Sequence, residues 1–483
     1  MIHQRTMEIF RTVGVEQIVT EKSGEQFDQD GAIMSAESLA GKEIAWYIAN
    51  LNEKVRDVSP CTRVFITQSL LEPLLQRRAA ELGARLRFST DMTSFGQDAG
   101  GVTATIRHRE SGAVETVRAQ YMVGADGSRS PVREALGIRL QGRGVFSSSI
   151  TIYFRAVGPH TFAPLMRGRN LSVIMVVNPK LRGFFRIEKP YTSGFLAVHT
   201  VGDPAHPETD VSKDLTEERC LEYVRCGLGV DDIPIKIENL MYWQSTADIA
   251  ERFTDGRVFL AGDAAHVMPP YGGFGGNTGI ADAQNLAWKL ALVLQGKASP
   301  RLLDTYQDER RPAAAFTVEQ AYSRYVTRAA QYLGAGGMQP LEDDLNIELG
   351  YCYHSGAVVP EGANQPAHEN PRDSKGRPGT RAPHVWLEQD GRRISTLDLF
   401  GKNFVLLAGP AGAAWSNHLD AARKLIDLDF HPVGAGQLAD PDNAFLAAYG
   451  ISAQGASLIR PDGFVAWRAQ EPCGITGVLR SIL

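Results

Sequence analysis

The chain has 483 residues, more than a single hydrophobic core accommodates, so two or three domains are expected. Its 43% hydrophobic and 22% charged residues are those of a soluble globular protein, and a net charge of −5 argues against a nucleic-acid partner. The opening MIHQRTMEIF lacks the apolar stretch of a signal peptide and no run is long enough to span a bilayer, so a cytoplasmic protein without membrane contact is expected.

In chain order, 4–18 carries Met7, Ile9, Phe10 and Val13 at helical spacing, ended by Gly14. A second amphipathic helix is predicted over 67–82, with Leu71, Leu74, Leu75 and Leu82 on one face and Gly83 as its stop. Residues 85–88, 102–107 and 115–119 read as a small antiparallel meander turning at Ser111-Gly112, and 121–125 as a buried strand ending in Asp126-Gly127. From 146 to 250 the chain is β-rich, with strands at 150–155, 171–177, 183–187 and 194–201. Ile150, Ile152 and Phe154 alternate with Thr151, Tyr153 and Arg155 as in a half-buried strand. This block reads as a sheet inserted between two halves of a nucleotide-binding domain.

A short apolar strand at 258–261 then runs into Gly262-Asp263 and a loop with two prolines and four glycines. A helix follows from about Thr278, and helical sequence continues to Tyr325 with a break near 296–300. The Pro-, Gly- and charge-rich stretch 364–379 reads as a linker. Beyond it come a buried strand (404–408), a helix (414–428) and a hairpin (457–460 and 465–468) turning at Pro461-Asp462-Gly463. The five cysteines, Cys61, Cys220, Cys226, Cys352 and Cys473, show neither CxxC nor metal-ligand spacing, which predicts reduced thiols and no metal site.

Two stretches carry chemistry. In 256–290 a strand feeds a Gly-rich loop and a helix start, which leaves backbone N–H groups unpaired and a positive dipole end exposed for an anionic cofactor. Asp263, at the strand's end, suits a ribose or ribityl hydroxyl and would repel a phosphate. In GADGSRSPVR, 124–133, Asp126-Gly127 makes a tight turn, and Arg129 and Arg133 supply forked donors for phosphate.

Both stretches resemble motifs of the flavin-dependent aromatic hydroxylases, the single-component FAD monooxygenases that include phenol and polyketide hydroxylases. The family's GDAAH, PP, Gly-rich turn with Asn, and D-x-x-N-L-x-W-K-L correspond to Gly262–His266, Pro269, Pro270, Gly272–Asn277, and Asp282, Asn285, Leu286, Trp288, Lys289 and Leu290. Its DG-x-x-S-x-V-R motif corresponds to Asp126, Gly127, Ser130, Val132 and Arg133.

The resemblance implies FAD as cofactor and NAD(P)H as co-substrate. It also implies hydroxylation of a small phenolic or polyketide substrate by O2 through a flavin C4a-hydroperoxide. Epoxidation and Baeyer–Villiger insertion share the scaffold. Cofactor contacts are implied for Arg5, Gln68, Asp126, Gly127, Arg133, Gly262, Asp263, Pro269, Gly272, Gly275, Gly276 and Asn277. No catalytic base is assigned. His266 reads as a loop-bracing histidine, and Tyr153, Phe184, Phe185 and Trp243 read individually as core, with an aromatic pocket as their alternative.

The implied fold class is α/β. A Rossmann-like FAD-binding domain (1–145 and 251–355) carries an inserted β-sheet substrate domain (146–250), a linker (356–381) and a C-terminal thioredoxin-like domain (382–483). In that last domain 414–417 reads AWSN where a working thioredoxin has CxxC, and Cys473 is its one cysteine, which leaves packing, shielding or homodimerisation as its role.

One departure stands out. The family opens with a βαβ unit bearing GxGxxG, whereas Arg5-Thr6-Met7-Glu8 already matches the helix after it. A start farther upstream is the expectation. The alternatives are a catalytically inactive truncated relative serving interaction or dimerisation, and a flavin reductase or peroxide-generating oxidase without aromatic substrate.

Overall fold

The computed structural model describes residues 1–199, 215–334, 336–362, 365–434, 436 and 438–483. Its largest element is an eight-stranded mixed sheet. From one edge to the other its strands are His266–Val267, Ile235–Ala250, Leu140–Ala156, Ser193–His199, Leu181–Glu188, Leu171–Asn178, Ala32–Ala36 and Glu43–Ile48. The 17-residue Leu140–Ala156 strand and the 16-residue Ile235–Ala250 strand pair antiparallel along most of their length.

The alternation predicted for 150–155 is present: Ile150, Ile152 and Phe154 are buried with Phe185, Leu196 and Val198 beneath the helix Glu217–Leu228. That helix starts where the Thr216 hydroxyl accepts from the Arg219 N–H and stops at Gly229 in the left-handed conformation. The opposite face of the sheet looks toward the 270–273 loop. The last strand expected here, 194–201, is seen to His199; residues 200 and 201 lie outside the described residues.

The sheet is not confined to 146–250. Two of its strands come from 32–48, and a two-residue strand comes from the GDAAH stretch. These went unforeseen because they are short, and Glu43–Ile48 is an exposed edge strand with little apolar alternation.

A second sheet joins Thr254–Asp255, Val258–Leu260 and Met122–Gly124, the last two parallel. Val258, Phe259 and Leu260 are buried as expected, but the 121–125 strand is not. It is an edge strand with one neighbour, and Val123 is 42% exposed. The meander forms from Thr90–Asp98, Gly101–His108 and Val114–Ala119. Its first strand lies at 90–98 rather than 85–88, because a tight turn at Ala99-Gly100 sets the pairing with the second.

The opening helical stretch is Gln4–Thr12, broken at Gly14 (φ 78°), followed by Glu16–Gln26. In the helix Gln68–Glu81 only Leu71 is buried, and Leu82 lies past the end, 64% exposed. Leu74 and Leu75 are partly buried beside Leu71 against the core of the opening helices, so three of the four predicted leucines face a core and Leu82 does not.

Helices Phe274–Leu294 and Asp304–Arg328 flank a break at 295–303, close to the expected one. The first begins four residues earlier than Thr278, since Gly275 and Gly276 are tolerated in a first turn.

The C-terminal sheet has the order Leu428–Pro432, Phe404–Ala408, Ala456–Ile459, Val465–Ala469, with one parallel and two antiparallel pairings. Its strand order fits the thioredoxin-like reading. The expected 414–428 helix is shorter: a 3-10 turn Gly412–His418 leads into Leu419–Arg423, and Leu428 already begins a strand. Trp415, where a dithiol would stand, is fully buried, with Nε1 donating to the Gln454 carbonyl.

The segment read as a linker, apart from residue 364 outside the described set, is tied down rather than free. Arg372 pairs with Asp57 and the Gly379 N–H donates to the Val465 carbonyl. Trp288 and Leu292 pack into the same core as Phe404, Leu406 and Trp415, joining the C-terminal unit to the rest. Among the described residues no helix is long and apolar enough to cross a membrane.

Candidate active site

The strand Val258–Leu260 ends in a 3-10 turn at Gly262–Ala264, where Gly262 has φ 61°. A Cβ on Gly279 would stand 3.0 Å from the Gly262 Cα, so the turn and the helix Phe274–Leu294 approach closely only because both residues are glycine. The carboxylate of Asp263 is exposed and has no hydrogen bond or ion pair among the described residues. Partial desolvation raises its pKa, opposed by the nearby His266.

The loop then passes buried Pro269, exposed Pro270, and Gly272 and Gly273, both with positive φ (98° and 71°). The helix begins at Phe274 with no side-chain cap, so its first-turn N–H groups stay available. A Cβ on Gly276 would meet nothing within 4 Å, and on Gly275 only Met268 at 3.9 Å, so the backbone there is open to close approach.

The helix carries its motif on a buried polar stripe. Asp282 accepts from the Gly262 N–H (3.1 Å), from Arg310 Nε (2.8 Å) and contacts His266 Nε2 at 2.7 Å. Burial opposes ionisation, but His266 and Arg310 hold the Asp282 carboxyl below its usual range. His266 is fully buried and braces the loop from beneath. One turn on, Asn285 and Lys289 both bond Glu309, at 2.7 and 2.8 Å, and Glu309 is gripped by Arg460 of the C-terminal unit. Glu309, Arg310 and Arg460 were missed in the sequence. The signal that finds them is the D-x-x-N-x-x-x-K spacing, which lines polar groups along one helix face and requires buried partners opposite.

The second motif closes on the first. Asp126 accepts from the Ser130 hydroxyl (2.5 Å) and the Val132 N–H (3.0 Å), fixing the turn that starts the helix Pro131–Ala135. Buried Arg133 donates to the Ala264 carbonyl and to the Ser128 carbonyl, each at 3.0 Å. Gly127 has φ 86°.

The remaining predicted residues are placed differently. Asn277 spends its amide inside the protein, accepting from the His3 N–H and the Thr6 hydroxyl and donating to the Gly273 carbonyl. Arg5 is buried against Glu8, Gln284 and the Asp462 carbonyl. Gln68 is exposed at the start of its helix and bonds Glu72.

Between the 270–273 loop and the large sheet lies a cavity of about 280 Å³. Tyr271, Gly272 and Gly273 form one wall and Val173, Met175, Phe184 and Phe195 the other, with Arg63, Arg186, Arg328 and Asp344 among the polar groups. Of the aromatics singled out in the sequence, Phe184 lines it. Phe185 is core, and Tyr153 and Trp243 pack within the sheet, Trp243 Nε1 donating to the Thr151 hydroxyl.

This fold and site define a flavoprotein of the aromatic-ring hydroxylase type. Residues 1–321 match the FAD binding domain family and residues 375–483 match the aromatic-ring hydroxylase C-terminal family, and the chain belongs to these FAD-dependent aromatic monooxygenases. It is 49% identical to a 4-methyl-5-nitrocatechol 5-monooxygenase of Burkholderia sp, over 100% of this chain and 89% of that protein. An aklavinone 12-hydroxylase of Streptomyces purpurascens is 37% identical, over 99% of this chain and 90% of its own length. The crystal structure of aklavinone-11 hydroxylase with FAD and aklavinone superposes with TM-score 0.92 at 36% identity, covering 100% of this chain and 91% of that one.

FAD is the cofactor, and the residues present fit it. The unpaired Asp263 carboxylate offers an acceptor for a sugar hydroxyl. The uncapped helix start and the open glycines offer N–H groups to an electron-rich ring edge or phosphate.

Proposed function

We propose that the chain is an NAD(P)H-consuming monooxygenase that hydroxylates a one- or two-ring phenol. The observation carrying this reading is a cavity walled on one side by the Gly-rich cofactor loop and on the other by apolar and aromatic side chains. Its volume of about 280 Å³ lies at the small end of ligand pockets.

Bound FAD supplies the activation of O2 once reduced. The protein holds the rest. In this reading Asp263, Gly262, Gly272, Gly275 and Gly276 line the cofactor, with Asp126, Gly127 and Arg133 holding the adjoining turn, while Pro269 and Asn277 fix the loop from within. Phe184, Phe195, Met175 and Tyr271 hold the aromatic ring and exclude water, which suppresses unproductive release of peroxide. The domain assignment follows: 1–145 and 251–355 bind FAD, 146–250 with strands from 32–48 binds substrate, and 382–483 packs on the FAD domain.

The test is to reconstitute the full chain with FAD and follow NADPH and NADH oxidation against a panel of phenols and catechols. Stimulated consumption and a product heavier by one oxygen atom are expected. Consumption that no phenol stimulates, with all reducing equivalents recovered as hydrogen peroxide, would refute it.

A further inference from the structure

Arg186 sits on the strand Leu181–Glu188, on the face that Phe184 turns to the cavity, with Phe195 as its cross-strand partner. It is 7% exposed. Its guanidinium is sandwiched between the rings of Phe27 (3.9 Å) and Phe65 (3.7 Å). Nε and Nη2 are buried without a hydrogen-bond partner, and no carboxylate stands within ion-pair distance among the described residues.

Met1 also lines the cavity, and burial, with a smaller repulsion from Arg186, pushes the pKa of its amino group down to about 5. Arg63 is neutralised by Glu348 and donates to the Leu51 carbonyl, Asp344 is held by Arg324, and Arg328 is partly solvated beside Tyr47. Glu188, two residues along the strand, attracts Arg186 only at a distance. Burial lowers the Arg186 pKa to about 9.

A desolvated cation with idle donors is costly, and two aromatic faces offset only part of that cost. Its donors lie in the plane of the guanidinium, which the ring faces leave open. The geometry points to Arg186 as an oxyanion receptor of the substrate pocket, taking the aromatic substrate through an ionised phenolic oxygen. This rests on the monooxygenase reading for the ligand's identity, and it adds selection of the phenolate, the more electron-rich form of the ring, over the neutral phenol.

The experiment titrates the full chain, reconstituted with FAD, with 4-nitrocatechol across pH, reading the dye's own phenolate band. Its dimethyl ether, 4-nitroveratrole, is the non-ionisable control. Wild type is expected to lower the ionisation midpoint of bound 4-nitrocatechol by at least one pH unit relative to the free dye. It should also bind the catechol at least tenfold more tightly than the ether. Arg186→Lys should keep part of the shift. Arg186→Gln should lose it and weaken nitrocatechol binding at least tenfold while leaving FAD affinity and ether binding unchanged.

A shift that survives in Arg186→Gln would overturn the proposal, as would loss of FAD in step with loss of the dye. If Arg186→Gln does not fold, the wild-type comparison decides: equal binding of catechol and ether overturns it. Oxygenation is assayed separately on the same samples. A shift without oxygenation leaves the receptor standing and refutes the monooxygenase reading, and oxygenation without a shift does the reverse.

Discussion

Arg133 and Ala264 lie 131 positions apart, yet the Arg133 guanidinium donates to the Ala264 carbonyl at 3.0 Å and clips the DG turn to the GDAAH turn. A charge-assisted bond to a buried carbonyl contributes about 1.5–3 kcal/mol, so the two turns, proposed above to hold the cofactor, are mutually braced. Arg133→Met is expected to weaken FAD binding by about tenfold or more, with a smaller loss in Arg133→Lys. Flavin fluorescence quenching on titration with each variant measures this.

Asp263 is the one member of the GDAAH turn whose polar side chain is idle toward the protein. If it accepts from a cofactor hydroxyl, Asp263→Ala should reduce FAD affinity by about 10–100-fold, with Asp263→Asn between it and wild type. Because no protein contact is lost, the urea midpoint of the FAD-free chain should stay unchanged in both. Equal FAD affinity in all three proteins would remove Asp263 from the site.

Glu309 joins three segments: Asn285 and Lys289 on one helix, Ser355 after the next, and Arg460 in the C-terminal unit. Burial opposes its ionisation, but Arg460 and Lys289 hold its carboxyl far below the usual range. Glu309→Gln leaves buried Lys289 without an ionic partner, while Arg460 keeps its pair with Asp462, and should cost about 3–5 kcal/mol. The double variant Glu309→Met, Lys289→Met, which leaves the Arg460–Asp462 pair in place, should recover part of that loss. Denaturant midpoints of the single and double variants test this, and limited proteolysis reports whether residues after 375 detach first.

His199 has a folded-state pKa lowered by burial to about 4 from 6.5. It is enclosed by Phe184, Trp243, Tyr271 and Tyr325, with Nδ1 on the Ser149 hydroxyl. Below pH 6.5 the unfolded chain takes up a proton that the folded chain refuses, so stability falls as pH drops from 6.5 toward 4. The slope is about 1.4 kcal/mol per pH unit, reaching roughly 3 kcal/mol in all. His3 and His384, lowered by burial to about 3 and about 4, act in the same direction, so His199→Gln should make that segment of the stability–pH curve shallower without levelling it, measured by urea unfolding at a series of pH values. An unchanged slope would mean that His199 is protonated in the fold.

The two motifs were legible because each fixed residue does something local: Gly262 and Gly272 take positive φ, Asp126 caps a turn, and Asp282 faces inward at a set distance along a helix. The hairpin at 461–463 was legible for the same reason, with Gly463 at φ 78°. What the sequence hid were partnerships between distant segments. Nothing near Arg460 announces Glu309, and nothing in 32–48 announces that these residues complete a sheet begun more than a hundred positions later. Arg186 was hidden differently. An arginine in an alternating strand reads as a solvent-facing residue, and only the rings of Phe27 and Phe65, contributed from far upstream, bury it.

The helix Phe274–Leu294 spans 21 residues, about 31 Å at 1.5 Å per residue. Its first turn carries amides with no side-chain cap, while Trp288 and Leu292 near its far end are sunk in the core shared with the C-terminal unit. A stiff rod fixed at its tail cannot tilt at its head. The C-terminal unit, with no dithiol of its own, thereby acts as a mechanical anchor for the Gly-rich loop, and loosening it would slacken that loop about 20 Å away without touching a single residue there.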